Sequence, residues 1–100
     1  MYKVTTVFEK PNADVQYYLA TKPDLRAEFA TFLSEQTEIL TLNVVDESTT
    51  RQITDAFYVD ELAFNNWITR FNERFPTFFA DRDAYHASVG ITTTRSTATL

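Results

Sequence analysis

The sequence predicts an α+β sandwich: a four-stranded antiparallel sheet with helices on one face, in the order strand–helix–strand–strand–helix–strand. Three observations predict it. Residues 2–9 and 51–59 alternate with a period of two and are rich in β-branched and aromatic side chains. Residues 25–33 and 64–75 carry apolar side chains at helical spacing. The polar segment Asp46-Glu47-Ser48-Thr49-Thr50 has hairpin length and joins two strand patterns.

In the first strand, Tyr2, Val4, Thr6 and Phe8 share one face and Lys3, Thr5, Val7 and Glu9 the other. Pro11-Asn12 ends it, because proline cannot donate to a ladder and asparagine favours turns. Asp14 is placed to cap a short helix over 15–20, with Val15, Tyr18 and Leu19 on one side. Pro23 suits the first turn of a longer helix reaching about Gln36, in which Leu25, Phe29, Phe32 and Leu33 recur as one apolar stripe. The second strand is expected over 38–45, with Leu40, Leu42 and Val44 on the inner face. In the third, over 51–59, Ile53, Phe57 and Val59 alternate with Thr54, Ala56 and Tyr58.

Asp60 fits an N-cap, and Glu61 comes next in the first turn where the helix dipole favours it. Phe64, Trp67, Ile68, Phe71 and Phe75 then repeat at helical period until Pro76 stops or kinks the helix. Phe78, Phe79, Ala84 and Tyr85 predict another turn or two, ending before Gly90, the single glycine, at a left-handed C-terminal cap. Residues 91–100 are Thr-rich and β-branched and suit a final strand. One hairpin joining two crossover units is the ferredoxin-like split βαβ plan, in one domain over 1–100.

Composition narrows the functional classes. At 44% hydrophobic and 15% aromatic the chain is too apolar for disorder, yet no apolar run approaches the roughly 18–20 residues of a membrane span. With no cysteine it has no disulfide framework, thiolate metal site or thiol nucleophile. A net charge of −5 and scattered basic residues argue against nucleic acid and against an anionic membrane surface. The alternating strand pattern starts at Tyr2 without a leader, so a cytoplasmic location is expected. One glycine cannot build a phosphate loop, and none of the serines has the flanking glycines of a nucleophile elbow.

The order of elements, together with the run Tyr58-Val59-Asp60-Glu61-Leu62-Ala63-Phe64-Asn65-Asn66-Trp67, resembles the dimeric α+β barrel superfamily of antibiotic-biosynthesis-monooxygenase-like proteins. The resemblance implies that two protomers pair their sheets into a closed barrel, with a cleft between sheet and helices. Trp67 also matches the helix-two tryptophan of the haem-degrading members by position. Residues 2–9, however, hold no asparagine, and His86 lies nineteen residues beyond Trp67, so the haem variant fits less well.

The candidate chemistry rests on few residues. His86, the one side chain with an ordinary pKa near neutrality, is the natural general base or metal ligand; its alternative is a helix-end histidine that suits the dipole near Gly90. Asp81 and Asp83 do not complete a metal cluster with it, and neither metal nor cofactor is expected. Trp67 could stack on a flat substrate or simply pack in the core, and Tyr58 could orient a phenolic substrate or cover the sheet edge. Of Asn65 and Asn66, both awkward inside a helix, Asn66 is the candidate to reach the cleft; otherwise both face solvent.

Asp55 falls on the expected apolar face with Ile53 and Phe57. A buried carboxylate there would have a raised pKa and serve as a second proton-handling group. A bulge or one-residue slip would turn it outward, and Arg51 or Arg95 could pair with it. The expectation is a small homodimeric binding or accessory protein with a modest cleft. The alternative is a cofactor-independent monooxygenase acting on a small aromatic molecule. A sheet covered by helices on one side leaves the other bare, so Val7, Val45 and Tyr58 are expected to need a second layer, which favours a dimer.

Overall fold

A computed structural model describes residues 1–100. Its seven principal elements, in chain order, are β1 (Tyr2–Glu9), α1 (Pro23–Glu35), β2 (Ile39–Asp46), β3 (Arg51–Tyr58), α2 (Glu61–Arg74), α3 (Phe78–Val89) and β4 (Thr92–Thr99). The four strands form one antiparallel sheet in the order β2-β3-β1-β4, the ferredoxin-like arrangement expected from the sequence.

Register settles which side chains face the helices. Tyr2, Val4 and Thr6 stand opposite Tyr58, Ala56 and Thr54 on β3 and opposite Thr99, Thr97 and Arg95 on β4. Tyr2, Val4, Ala56 and Tyr58 are buried, so this is the inner face. The expectation for β1 holds, but that for β3 is reversed: Ile53, Asp55 and Phe57 pair with Val7, Thr5 and Lys3 on the outer face. Tyr58, expected to need cover from a second layer, is instead buried under the protomer's own helices at 2% exposure.

On β2 a bulge between Ile39 and Thr41 absorbs Leu40 and restores Leu42 and Val44 to the inner side, opposite Ala56 and Thr54. β2 is an edge strand, covered by the helices only near Ile39, and Val45 lies on its outer face opposite Ile53. Leu40, Leu42, Val44 and Val45 all remain exposed.

The helical layer packs through aromatic rings. Phe71 is fully buried and lies 5.0–5.6 Å from the rings of Trp67, Phe29, Phe32, Phe75, Phe78 and Phe79. Asp60 caps α2 as expected, its Oδ1 accepting from the Ala63 N–H at 2.8 Å. Pro76 ends that helix, and the corner it makes turns both Phe75 and Phe78 into the core.

Beyond that corner, α3 is a full 12-residue helix, longer than the turn or two expected. It buries only Phe78 and His86, so its sequence carries little apolar periodicity. Gly90 closes it in the left-handed conformation (φ 81°), as expected. The short helix expected over 15–20 is instead one 3-10 turn, Tyr18–Thr21, and Asp14 does not cap it. No helix is long and apolar enough to cross a membrane.

Candidate functional site

Between the inner face of the sheet and the helices lies a cavity of about 270 Å³. Its floor is made by small side chains on the central strands (Val4, Thr6, Thr54 and Ala56), which leave room beneath the aromatic layer. Tyr58 and Phe64 stand at one end; Trp67, Ile68, Phe71 and Phe78 form the roof. No carboxylate is among the 24 residues that line it, and 18 of them are hydrophobic, so the space suits an apolar body. Beside it runs a more open, more polar groove of about 750 Å³ between α2, α3 and β4. Phe64, Ile68, Phe79, Arg82, His86 and Arg95 line both spaces, so the groove is the cavity's vestibule.

Trp67 reaches the cavity because α2 presents Phe64, Trp67 and Phe71 on its buried stripe. Its indole stacks on Phe71 (5.0 Å, 18°) and meets Phe32 and Tyr58 edge-on. Trp67 therefore packs in the core, the second of its two readings, and its side chain also lines the cavity. Its Nε1–H is buried with no hydrogen-bond partner. An unpaired buried donor costs about 1–3 kcal/mol, so this group is one an acceptor would satisfy. The Tyr58 hydroxyl also makes no hydrogen bond within the protein. Burial holds that phenol well above its ordinary pKa; nearby Arg95 offsets this slightly and Glu38 adds to it. Tyr58 therefore stays neutral and able to donate.

His86 is not a surface histidine at a helix end. It is 2% exposed, in the last turn of α3 but facing inward. Its Nε2 accepts from the Tyr18 backbone N–H at 3.2 Å, and Nδ1 lies 3.0 Å from Thr93 Oγ1. Accepting at Nε2 requires the Nδ1–H tautomer, which donates to Thr93. The ring meets Phe8 edge-on at 4.9 Å. Burial lowers its pKa, as does neighbouring Arg82, against a smaller opposing effect of Asp83. The imidazole is thus neutral, with both nitrogens engaged.

The remaining candidates lie elsewhere. Asp55 does share a face with Ile53 and Phe57, but that face points away from the helices. It accepts from the Thr5 hydroxyl at 2.5 Å rather than pairing with Arg51, which binds Glu9 and Glu47, or with Arg95, which is on the inner face. The cavity therefore brings together Trp67, Tyr58 and His86 and leaves Asp55 out. Asn66 is exposed and lines neither space, whereas its neighbour Asn65 lines the vestibule, because one helical position turns a side chain by about 100°. Arg82 and Arg95, both lining the mouth, were not legible as site residues in advance. The signal for Arg95 was its period-two alignment with Thr93 and Thr97 on β4. No group of three or more His, Asp or Glu side chains stands together in a way that could hold a metal.

No protein-family model matches the chain, and no curated protein sequence does. Solved structures match it by fold. One is SnoaB, a cofactor-independent oxygenase from Streptomyces nogalater, in a mutant form: TM-score 0.61 and 15% identity over 99% of this chain and 91% of that one. A second SnoaB structure matches with TM-score 0.59 and 14% identity over the same shares of both chains. A dimeric ferredoxin-like protein from an uncultured marine organism aligns with TM-score 0.49 and 15% identity, over 99% and 95% of the two chains. At such identities what is shared is the fold. The resemblance read from the element order thus holds at the level of fold: the chain has a ferredoxin-like fold, shared with SnoaB.

Proposed function

We propose that the protein is a small-molecule-binding protein that holds a flat, largely apolar molecule of one or two rings between its sheet and its helices, acting as a homodimer. The observation that carries this reading is the apolar cavity of about 270 Å³ lined by Trp67, whose buried indole N–H has no partner within the protein. The Tyr58 hydroxyl, on a side chain that also lines the cavity, is a second donor without a partner. Size supports the same class. A cavity of roughly 150 Å³ takes one benzene ring, so about 270 Å³ suits one or two.

Trp67 is the single tryptophan, so its emission reports the site directly. Titration with 2-naphthamide is expected to change that emission saturably at one molecule per chain and to raise the melting temperature by mass action. No change in either up to millimolar probe overturns the proposal.

A second reading, cofactor-independent oxygenation of the bound molecule, is favoured by the position of neutral His86 on the same cavity. SnoaB, an oxygenase of that kind, has this fold. A deprotonated, electron-rich aromatic can give an electron to dioxygen unaided, so the protein's task would be proton removal. His86 would first have to release the Tyr18 N–H, since its basic lone pair is engaged there. Oxygen uptake on adding a dihydroxynaphthalene, dependent on protein and lost in His86→Gln, is the expected sign. Uptake that is absent, or equal in the variant, removes this reading and leaves binding alone.

A further inference from the structure

The protein carries a net charge of −5, yet two arginines stand where its cavity meets the vestibule. Two guanidinium groups, Arg82 and Arg95, line the wall, and no Asp or Glu does. They are not equivalent. Arg82 is already paired with Asp83 at 3.1 Å and lies over the rings of Phe79 and Phe8. Arg95 has no ion pair and no hydrogen bond; its guanidinium lies 5.5 Å from the centre of the Phe64 ring, on the inner face of β4 where vestibule and cavity meet. A second and independent observation is that the deeper uncommitted polar groups, Trp67 Nε1–H and the Tyr58 hydroxyl, are donors too. The cavity therefore presents donors and no carboxylate; the one carboxylate in the vestibule, Asp83, is taken up by Arg82, which leaves Arg95 as the uncommitted charge.

From this we infer that the ligand is an aromatic acid, its carboxylate bound at the mouth by Arg95 and its rings held in the apolar cavity. The inference rests on the reading of the cavity as a ligand site and adds the ligand's charge class. Arg95 suits the role because a planar guanidinium matches a carboxylate with two parallel hydrogen bonds. Its flanking Phe64 ring also limits its freedom before the ligand arrives.

The test compares two probes of one shape, 2-naphthoate and neutral 2-naphthamide, by Trp67 emission. The wild-type protein is expected to bind the acid at least about tenfold more tightly than the amide, a preference that shrinks as salt is raised. Arg95→Gln is expected to bring the acid down to the amide's affinity. Arg74→Gln, at a residue that lines neither space and is paired with Glu28, is expected to keep the preference. Equal binding of both probes by the wild-type protein overturns this inference and leaves the cavity reading standing, as does a preference that survives Arg95→Gln. If neither probe binds, both fall. Arg95 is exposed on an edge strand, so loss of folding does not confound the variant, and unchanged Trp67 emission without probe verifies that.

Discussion

His86 acts as a clamp between three parts of the chain. It belongs to α3, holds the first backbone N–H of the 3-10 turn through Nε2, and engages β4 through Thr93. Protonation at Nε2 would oppose two N–H groups across 3.2 Å and charge a ring that burial keeps neutral. Linkage gives the sign of the pH effect. The folded-state pKa lies below the unfolded value of about 6.5, so as pH falls through that value the unfolded chain takes up a proton that the native one refuses. The stabilisation is complete above about pH 6.5 and is lost progressively below it, by at most about 1.4 kcal/mol per pH unit for one group. Urea unfolding at pH 7.5 and 5.5 is expected to show a larger loss for the wild type than for His86→Gln; equal losses would assign the acid sensitivity to other groups. Nothing in the sequence forecast the clamp, because Tyr18 and Thr93 lie 68 and 7 residues away and meet His86 only in the folded chain.

Among elements, the helix ends were the most legible because their signals are local. Asp60 and Gly90 sit where a side-chain acceptor and a left-handed residue are needed, and the structure uses both. Asp60→Ala is expected to cost about 1 kcal/mol through the lost cap. Gly90→Ala should cost at least as much, since φ is +81° and a Cβ would stand 3.3 Å from Pro11 Cγ. Thermal or urea denaturation of the two variants checks both figures; a Gly90→Ala variant as stable as the wild type would contradict the second.

Strand faces were less legible. Period-two alternation fixes which residues of β3 share a face but not which face meets the helices. The bulkier set, Ile53 and Phe57, turned out to be the outer one. Size misleads here because β3 is a central strand with apolar side chains on both faces. The same reversal leaves Asp55 outside the cavity and buries Tyr58, already a candidate, in its lining. Arg95 is hidden for a related reason: a lone charge in a Thr-rich edge strand reads as solvent-facing, and only the folded chain sets a groove beside it.

For the whole molecule, the outer face of the sheet is the largest feature without a covering layer. Val7, Ile53 and Phe57 lie along its centre, and exposed Val45 extends the apolar strip onto edge strand β2. Only 12 of 100 residues are buried, nearly all of them between the inner face and the helices, so a second apolar contact has much to add. Four strands about 4.8 Å apart and roughly 26 Å long give a face large enough to supply much of the roughly 800 Å² per partner that a stable dimer buries. Light scattering at micromolar concentration is therefore expected to give about twice the 11.6 kDa protomer mass.

Phe57→Glu places a carboxylate beside Asp55 on that face and should yield a monomer. Its Trp67 emission should be unchanged, because the cavity lies on the other side of the sheet. Charge gives the same association a second signature. Two protomers of −5 repel, so the dimer should tighten as salt screens them, opposite in sign to the salt-weakened preference for an acid at Arg95. A strictly monomeric wild-type mass at both low and high salt would overturn the dimer and leave the single-chain cavity to be judged on its own.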